Sequence, residues 1–234
     1  MSAEAAATLA AAPHTESLFS FIVRFFVEGG PFMYCTLLVF VLGIAITLER
    51  FIYLNLVQSR NQSMWKILFP LMTQGKFKTA LDEAKQSDSA IARILVYGLT
   101  RSTFATKHEE IEMAMEEGLM ETIPTLERRT HYVATFANIA TLLGLLGTVM
   151  GMIDAFTAVA NADPARKGEL LSASISVAMN NTALGLISAI PLLLSFSYLQ
   201  SKTTQLIDSM EMASVKFLNV FRQAQAQQSK QQQG

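Results

Sequence analysis

The chain has 234 residues and a formal net charge of −1, with 51% of its residues apolar and 16% charged. That near-neutral balance excludes a nucleic-acid binder, which needs a basic field. The charges vanish from three long windows and collect between them, which is the pattern of a multi-span membrane protein rather than of a soluble one.

Residues 1–12 are alanine-rich with no basic residue, a poor secretory signal, and read as a mobile leader. Residues 17–27 are aromatic and interrupted by Arg24, too short and too charged to span but suited to lying at an interface. Residues 1–31 are therefore read as an outside leader with an interfacial helix, ended by Glu28, Gly29, Gly30 and Pro31. The first span is predicted over 32–57. Glu49 and Arg50 stand near its far end, where snorkelling or mutual pairing makes them tolerable. The lone Cys35 sits in this apolar run as a small buried hydrophobe, and no zinc or redox spacing exists.

Residues 58–131 read as a cytoplasmic helical loop broken at Gly75 and at Ser87, Asp88 and Ser89. Its glutamate-rich end, 109–121, points to one helix entering the second span without a break, kinked at Pro124. The second span covers 132–160, a turn with Pro164 and Gly168 covers 161–170, and the third span covers 171–199. Residues 200–234 continue as a cytoplasmic helix, with a Gln-rich tail expected to be disordered from Gln223. Most lysines and arginines lie in the loop and the tail, so both are assigned to the cytoplasm and the N-terminus and short turn to the outside. The fold class is an all-α membrane protein of three transmembrane helices with long cytoplasmic helical extensions.

Two stretches carry the chemistry. At 100° per residue Thr141, Gly144, Gly147, Thr148, Gly151 and Asp154 share one side of the second span, and Leu142, Leu145, Leu146, Val149 and Ile153 cover the other. Glycine weakens a helix, so three on one side point to close backbone approach by a neighbour, or to a polar path. On the third span Ser174, Asn181, Gly185, Ser188 and Ser195 share a face, with Thr182 at its margin. Amides at mid-membrane depth need partners, so this face should look into protein or water. Interhelical hydrogen bonding and an ion path both fit that polarity. An enzyme fits poorly: His14, His108 and His131 have no metal spacing, and neither a nucleophile elbow nor a phosphate loop is present. A self-contained channel or carrier not coupled to a motor partner is the alternative class, although such folds usually carry more spans or an inverted repeat.

The run Gly144-Leu-Leu-Gly147-Thr148-Val-Met-Gly151 with Phe156, followed by Asn181-Thr182-Ala-Leu-Gly185-Leu and Ala189-Ile-Pro191, resembles the paired motif of the MotA/TolQ/ExbB proton channel family. The three-span layout is closer to its ExbB and TolQ branches. The resemblance implies a homopentamer around an ExbD- or TolR-like single-span dimer, set in membrane lipid. That stator of a bacterial inner-membrane motor would act on a TonB- or TolA-like envelope-spanning protein. It implies an ion pathway through Thr148 and Thr182; the polar faces of the two spans add Asn181, Thr141 and Asp154 as pathway candidates, Asp154 as the rival site, and assign Gly144, Gly147, Gly151, Gly185 and Pro191 to helix packing. It implies no bound cofactor. A hydroxyl both donates and accepts, so it can relay a proton or coordinate a desolvated cation. Many ExbB and TolQ sequences carry a glutamate where this chain has Val177 and a proline where it has Thr141. A route lined by threonine and asparagine suits sodium as readily as protons, and envelope machines for transport, maintenance, gliding or adhesion all remain compatible.

Overall fold

In a computed structural model, residue 23 and residues 25–27, 29–104 and 108–231 are described, with side chains described as far as 226. The expected leader and most of the expected interfacial helix lie outside the described residues. Among the described residues from Pro31 onward six helices follow: α1 (Pro31–Thr73), α2 (Phe77–Lys85), α3 (Ala90–Ser102), α4 (His108–Glu127), α5 (Thr130–Ala160) and α6 (Lys167–Gln231). No strand occurs among the described residues. Segments within Pro31–Thr73, His108–Ala160 and Lys167–Ala226 are long and apolar enough to cross a membrane. The chain divides into two units, one of residues 1–42 and 136–191, the other of residues 43–135 and 192–234.

In the first unit the buried positions are mostly small: Ala137, Ala140, Ala155, Ala178 and Ala189 are almost fully covered. Small side chains let backbones approach where lipid gives no hydrophobic drive between helices. Leu142, Leu145, Leu146, Val149, Ile153 and Phe156 point outward from α5, as the 100° spacing predicts. Cys35, expected to be buried, is exposed on α1, where an apolar thiol suits a lipid-facing surface.

The second unit is held by a conventional apolar core. Ile91, Ile94, Leu95, Gly98 and Leu99 line one side of α3, and Ile111, Met115, Gly118, Thr122 and Leu126 one side of α4. Both follow the i, i+3, i+4 spacing of an amphipathic helix. Ile91, Ile94, Leu95, Leu99, Ile111, Met115 and Leu126 close with Leu68, Met72, Ala84 and Phe217 into one cluster. A fully buried Leu or Met in it contributes about 1.5–3 kcal/mol. Gly118 is required where α4 crosses α3, because a Cβ there would stand 3.2 Å from the Ile94 Cα and 3.0 Å from the Tyr97 ring.

The breaks have local causes. Gly75 at φ +75° ends α1 in a Schellman turn, with the Lys76 N–H donating to Leu71 O and the Gly75 N–H to Met72 O, each at 3.0 Å. Ser89 caps α3 by accepting from the Ala92 N–H at 3.3 Å, and Asn61 on α1 accepts from the Ile91 N–H at 3.2 Å.

Two features depart from the sequence-based expectation. The helix expected to enter the second span unbroken stops at Glu127, and Arg129 takes φ +67° before α5 begins. Pro124 removes one backbone donor, and the chain turns a few residues later. The tail expected to be disordered from Gln223 is helical to Gln231. Gln, Ala and Lys are good helix formers, and no Gly or Pro interrupts this end of a helix already propagating.

Candidate functional site: the seam between two spans

The glycine side of α5 packs on α6 of the same chain. A Cβ on Gly144 would stand 3.0 Å from the Gly185 Cα, one on Gly147 2.7 Å from the Asn181 side chain, and one on Gly151 2.9 Å from the Ala178 Cβ. As numbers rise along α5 they fall along α6, so the two helices are antiparallel and in backbone contact along this stretch. The sequence left close approach and a polar path as alternatives for these glycines. In the chain by itself they are in close approach.

One position along from Gly147 and from Asn181, Thr148 and Thr182 meet. Their hydroxyls hydrogen-bond directly to each other. Thr148 Oγ1 lies 3.2 Å and Thr182 Oγ1 3.3 Å from Gly144 O, and Ala178 O is 3.4 Å from Thr148 Oγ1. Two hydroxyls hold two protons. One joins the pair, and the other goes to a helix carbonyl, so the donor and acceptor roles exchange by hydroxyl rotation alone. Both side chains are half-buried at the edge of the seam. Such a pair can hand on a proton or offer two oxygens to a cation without any charged group.

Asn181 is 3% exposed, inside the seam. Its Nδ2 donates to Gly29 O at 2.8 Å and to Val177 O at 3.0 Å, which ties the turn before α1 to α6. Among the described residues its Oδ1 has no hydrogen-bond partner, nor has the buried Ser188 Oγ one face-repeat further on. Thr141 is exposed and donates to Ala137 O of its own helix at 3.2 Å. Asp154 is exposed, and Pro191 is exposed at the end of this unit. Thr148, Thr182 and Asn181 are thus brought together with the glycines, whereas Thr141, Asp154 and Pro191 stand apart from that contact.

In the second unit, sequence reasoning missed the role of Arg50. Glu49 and Arg50 are not partners, because adjacent residues on a helix point about 100° apart. Glu49 pairs with Arg129 at 2.5 Å, half-exposed. Arg50, only 4% exposed, donates to Leu126 O and, at 3.2 Å, to Thr130 Oγ1. It therefore joins the end of α4 to the start of α5 across the Arg128–Arg129 break. The only hint in the sequence was the charged pair Glu49-Arg50 at a span end and the basic pair Arg128-Arg129 just before the next span. Among the described residues no three His, Cys, Asp or Glu side chains gather as a metal site.

The model of the MotA/TolQ/ExbB proton channel family matches residues 86–212, which include the whole seam. A biopolymer transport ExbB homolog of Methanothermobacter thermautotrophicus is 29% identical over 84% of this chain and 69% of its own length. The Tol-Pal system protein TolQ of Haemophilus influenzae is 35% identical over 37% of each chain. The biopolymer transport protein ExbB of Aquifex aeolicus is 34% identical over 34% of this chain and 53% of its own.

Proposed function

Because the chain belongs to the MotA/TolQ/ExbB proton channel family, in its ExbB/TolQ-like branch, we propose that it is the ring-forming stator subunit of an ion-driven machine in a bacterial inner membrane. Five copies would enclose a dimer of a small single-span partner, with the N-terminus outside and the C-terminus in the cytoplasm. Ion flow past the subunits would do mechanical work on an envelope-spanning protein. The relatives' names support transport energisation or Tol-type envelope maintenance, and gliding or adhesion machines stay within the same reading.

The observation that carries this is the Thr148–Thr182 hydroxyl pair, held at the edge of a seam whose glycines leave no room for anything larger. Fixed, uncharged oxygens suit an ion that must bind weakly and leave. The titratable group needed for proton transfer would come from the partner. Asn181, its amide protons committed to Gly29 and Val177, then serves as a positioning residue for α6, and its Oδ1 is the one atom of that side chain left to meet a cation. Protons are the working assignment, with sodium as its rival.

The test replaces each hydroxyl by a methyl of the same shape. Thr148→Val and Thr182→Val should each leave the complex assembled and abolish ion-driven output, whereas Thr148→Ser and Thr182→Ser should keep part of it. Full output in both valine variants would remove the pair from the ion path. Varying external sodium at fixed pH distinguishes the ions, since a sodium requirement overturns the proton assignment. Purification that brings down no single-span partner would favour a self-contained channel.

A further inference from the structure

The second unit carries two unlike surfaces that match each other. One is a groove of about 440 Å³ between α1 and α6, floored by Trp65, Leu206 and Ala213 and edged by Met212. Lys202 and Lys216 lie along it, 14 residues or about 21 Å apart on α6. Asp208 is its one carboxylate. The other surface is the outward ridge of α4. That helix holds seven glutamates and neither lysine nor arginine. Glu110 is engaged by Arg101 at 3.3 Å and Glu121 by the Tyr97 hydroxyl at 2.5 Å, a bond that raises the Tyr97 pKa and keeps the phenol a donor. Glu109, Glu112, Glu116 and Glu117 have no ion pair within the described residues. Between them Met113 and Met120, 67% and 65% exposed, stand two turns apart on one line, about 10 Å from each other.

We infer that the acidic α4 ridge of one copy seats in the α1–α6 groove of the next, with Met113 and Met120 entering the apolar floor and the free glutamates meeting Lys202 and Lys216. Three features favour a second copy of this chain as the occupant. The ridge is short enough to lie along the groove. Exposed methionines adapt to an irregular apolar trough. The net charges are opposite, which steers and registers an encounter. The ridge and the groove are different surfaces, so the contact is heterologous and repeats around a ring until it closes. The inference rests on the ring-forming reading above and adds which surfaces outside the spans hold neighbours in register.

The test uses the full chain in native membranes with Cys35→Ser, so that the only thiols are introduced ones. Met113→Cys and Met212→Cys in the same chain should give, on mild oxidation, a ladder of cross-linked multimers, and neither single variant should pass beyond a dimer. Glu116→Lys with Glu117→Lys should lower the ladder yield roughly threefold or more, as rim charges tune encounter and only modestly affinity. Adding Lys216→Glu should restore part of it. The mass of the purified parent complex is measured in parallel. A multimeric mass without the ladder, or a ladder indifferent to the charge reversals, overturns this interface alone. A monomeric mass overturns the ring-forming reading itself.

Discussion

Substitution of Gly185 by alanine tests the seam most directly. The new Cβ would lie 2.9 Å from Ala140 O and 2.9 Å from the Gly144 Cα. Both are backbone atoms, so no side chain can rotate away, and relief requires α5 and α6 to separate. Ordinary carbon contacts sit near 3.5–4.0 Å, which asks for a shift of roughly 0.6–1 Å. Overpacking of this kind typically costs about 1–3 kcal/mol, while alanine regains up to about 1 kcal/mol of helix propensity over glycine. The expected net loss is about 0–2.5 kcal/mol. The same separation would stretch the Thr148–Thr182 bond, so output should fall by more than stability does. The assay is thermal melting of the complex in lipid nanodiscs, with ion-driven output read on the same samples. Gly168→Ala is the control, since nothing stands within 4 Å of its Cβ position, and it should melt at or above the parent temperature. If Gly185→Ala matches Gly168→Ala in both measurements, the backbones are not in contact and the reasoning fails.

Other expectations follow from the same contacts. Arg50→Met keeps the stem but leaves Leu126 O without its donor, a loss of about 1–3 kcal/mol; hydrogen exchange over residues 126–132 should speed up, whereas Glu49→Gln, breaking a half-exposed pair worth at most about 1 kcal/mol, should barely change it. Asn181→Ala strands Gly29 O and should lower the melting temperature by a few degrees, while Asn180→Ala beside it should not; equal shifts would deny the tie between the turn and α6. Cysteines at positions 85 and 225 should be shielded in intact cells from an impermeant outside reagent and one at 163 labelled, and labelling at 85 would reverse the orientation.

Much of this protein was legible without a structure because membrane solvation is a one-dimensional constraint. Three apolar windows, the basic residues between them, and breaks at Gly75 and Ser87 to Ser89 are properties of consecutive residues, so they can be read along the chain. The paired glycine, threonine and asparagine motifs were legible for the same reason: helical spacing puts them on one side of each span. What each residue on that side does was decided by the neighbouring helix. The spacing put Asn181 on the polar face and Thr182 at its margin, and the antiparallel register of α5 and α6 turns the amide inward to Gly29 and brings the threonine hydroxyl to Thr148. In the same way mutual pairing of Glu49 and Arg50, one of the two ways the sequence offered for them to be tolerated at a span end, rests only on their being adjacent. The 80-residue return of the chain gives each its own partner, and a helix cannot bring consecutive side chains face to face. Local patterning determined which faces are polar, and long-range packing decided which polar groups are committed within the subunit and which remain at its edge.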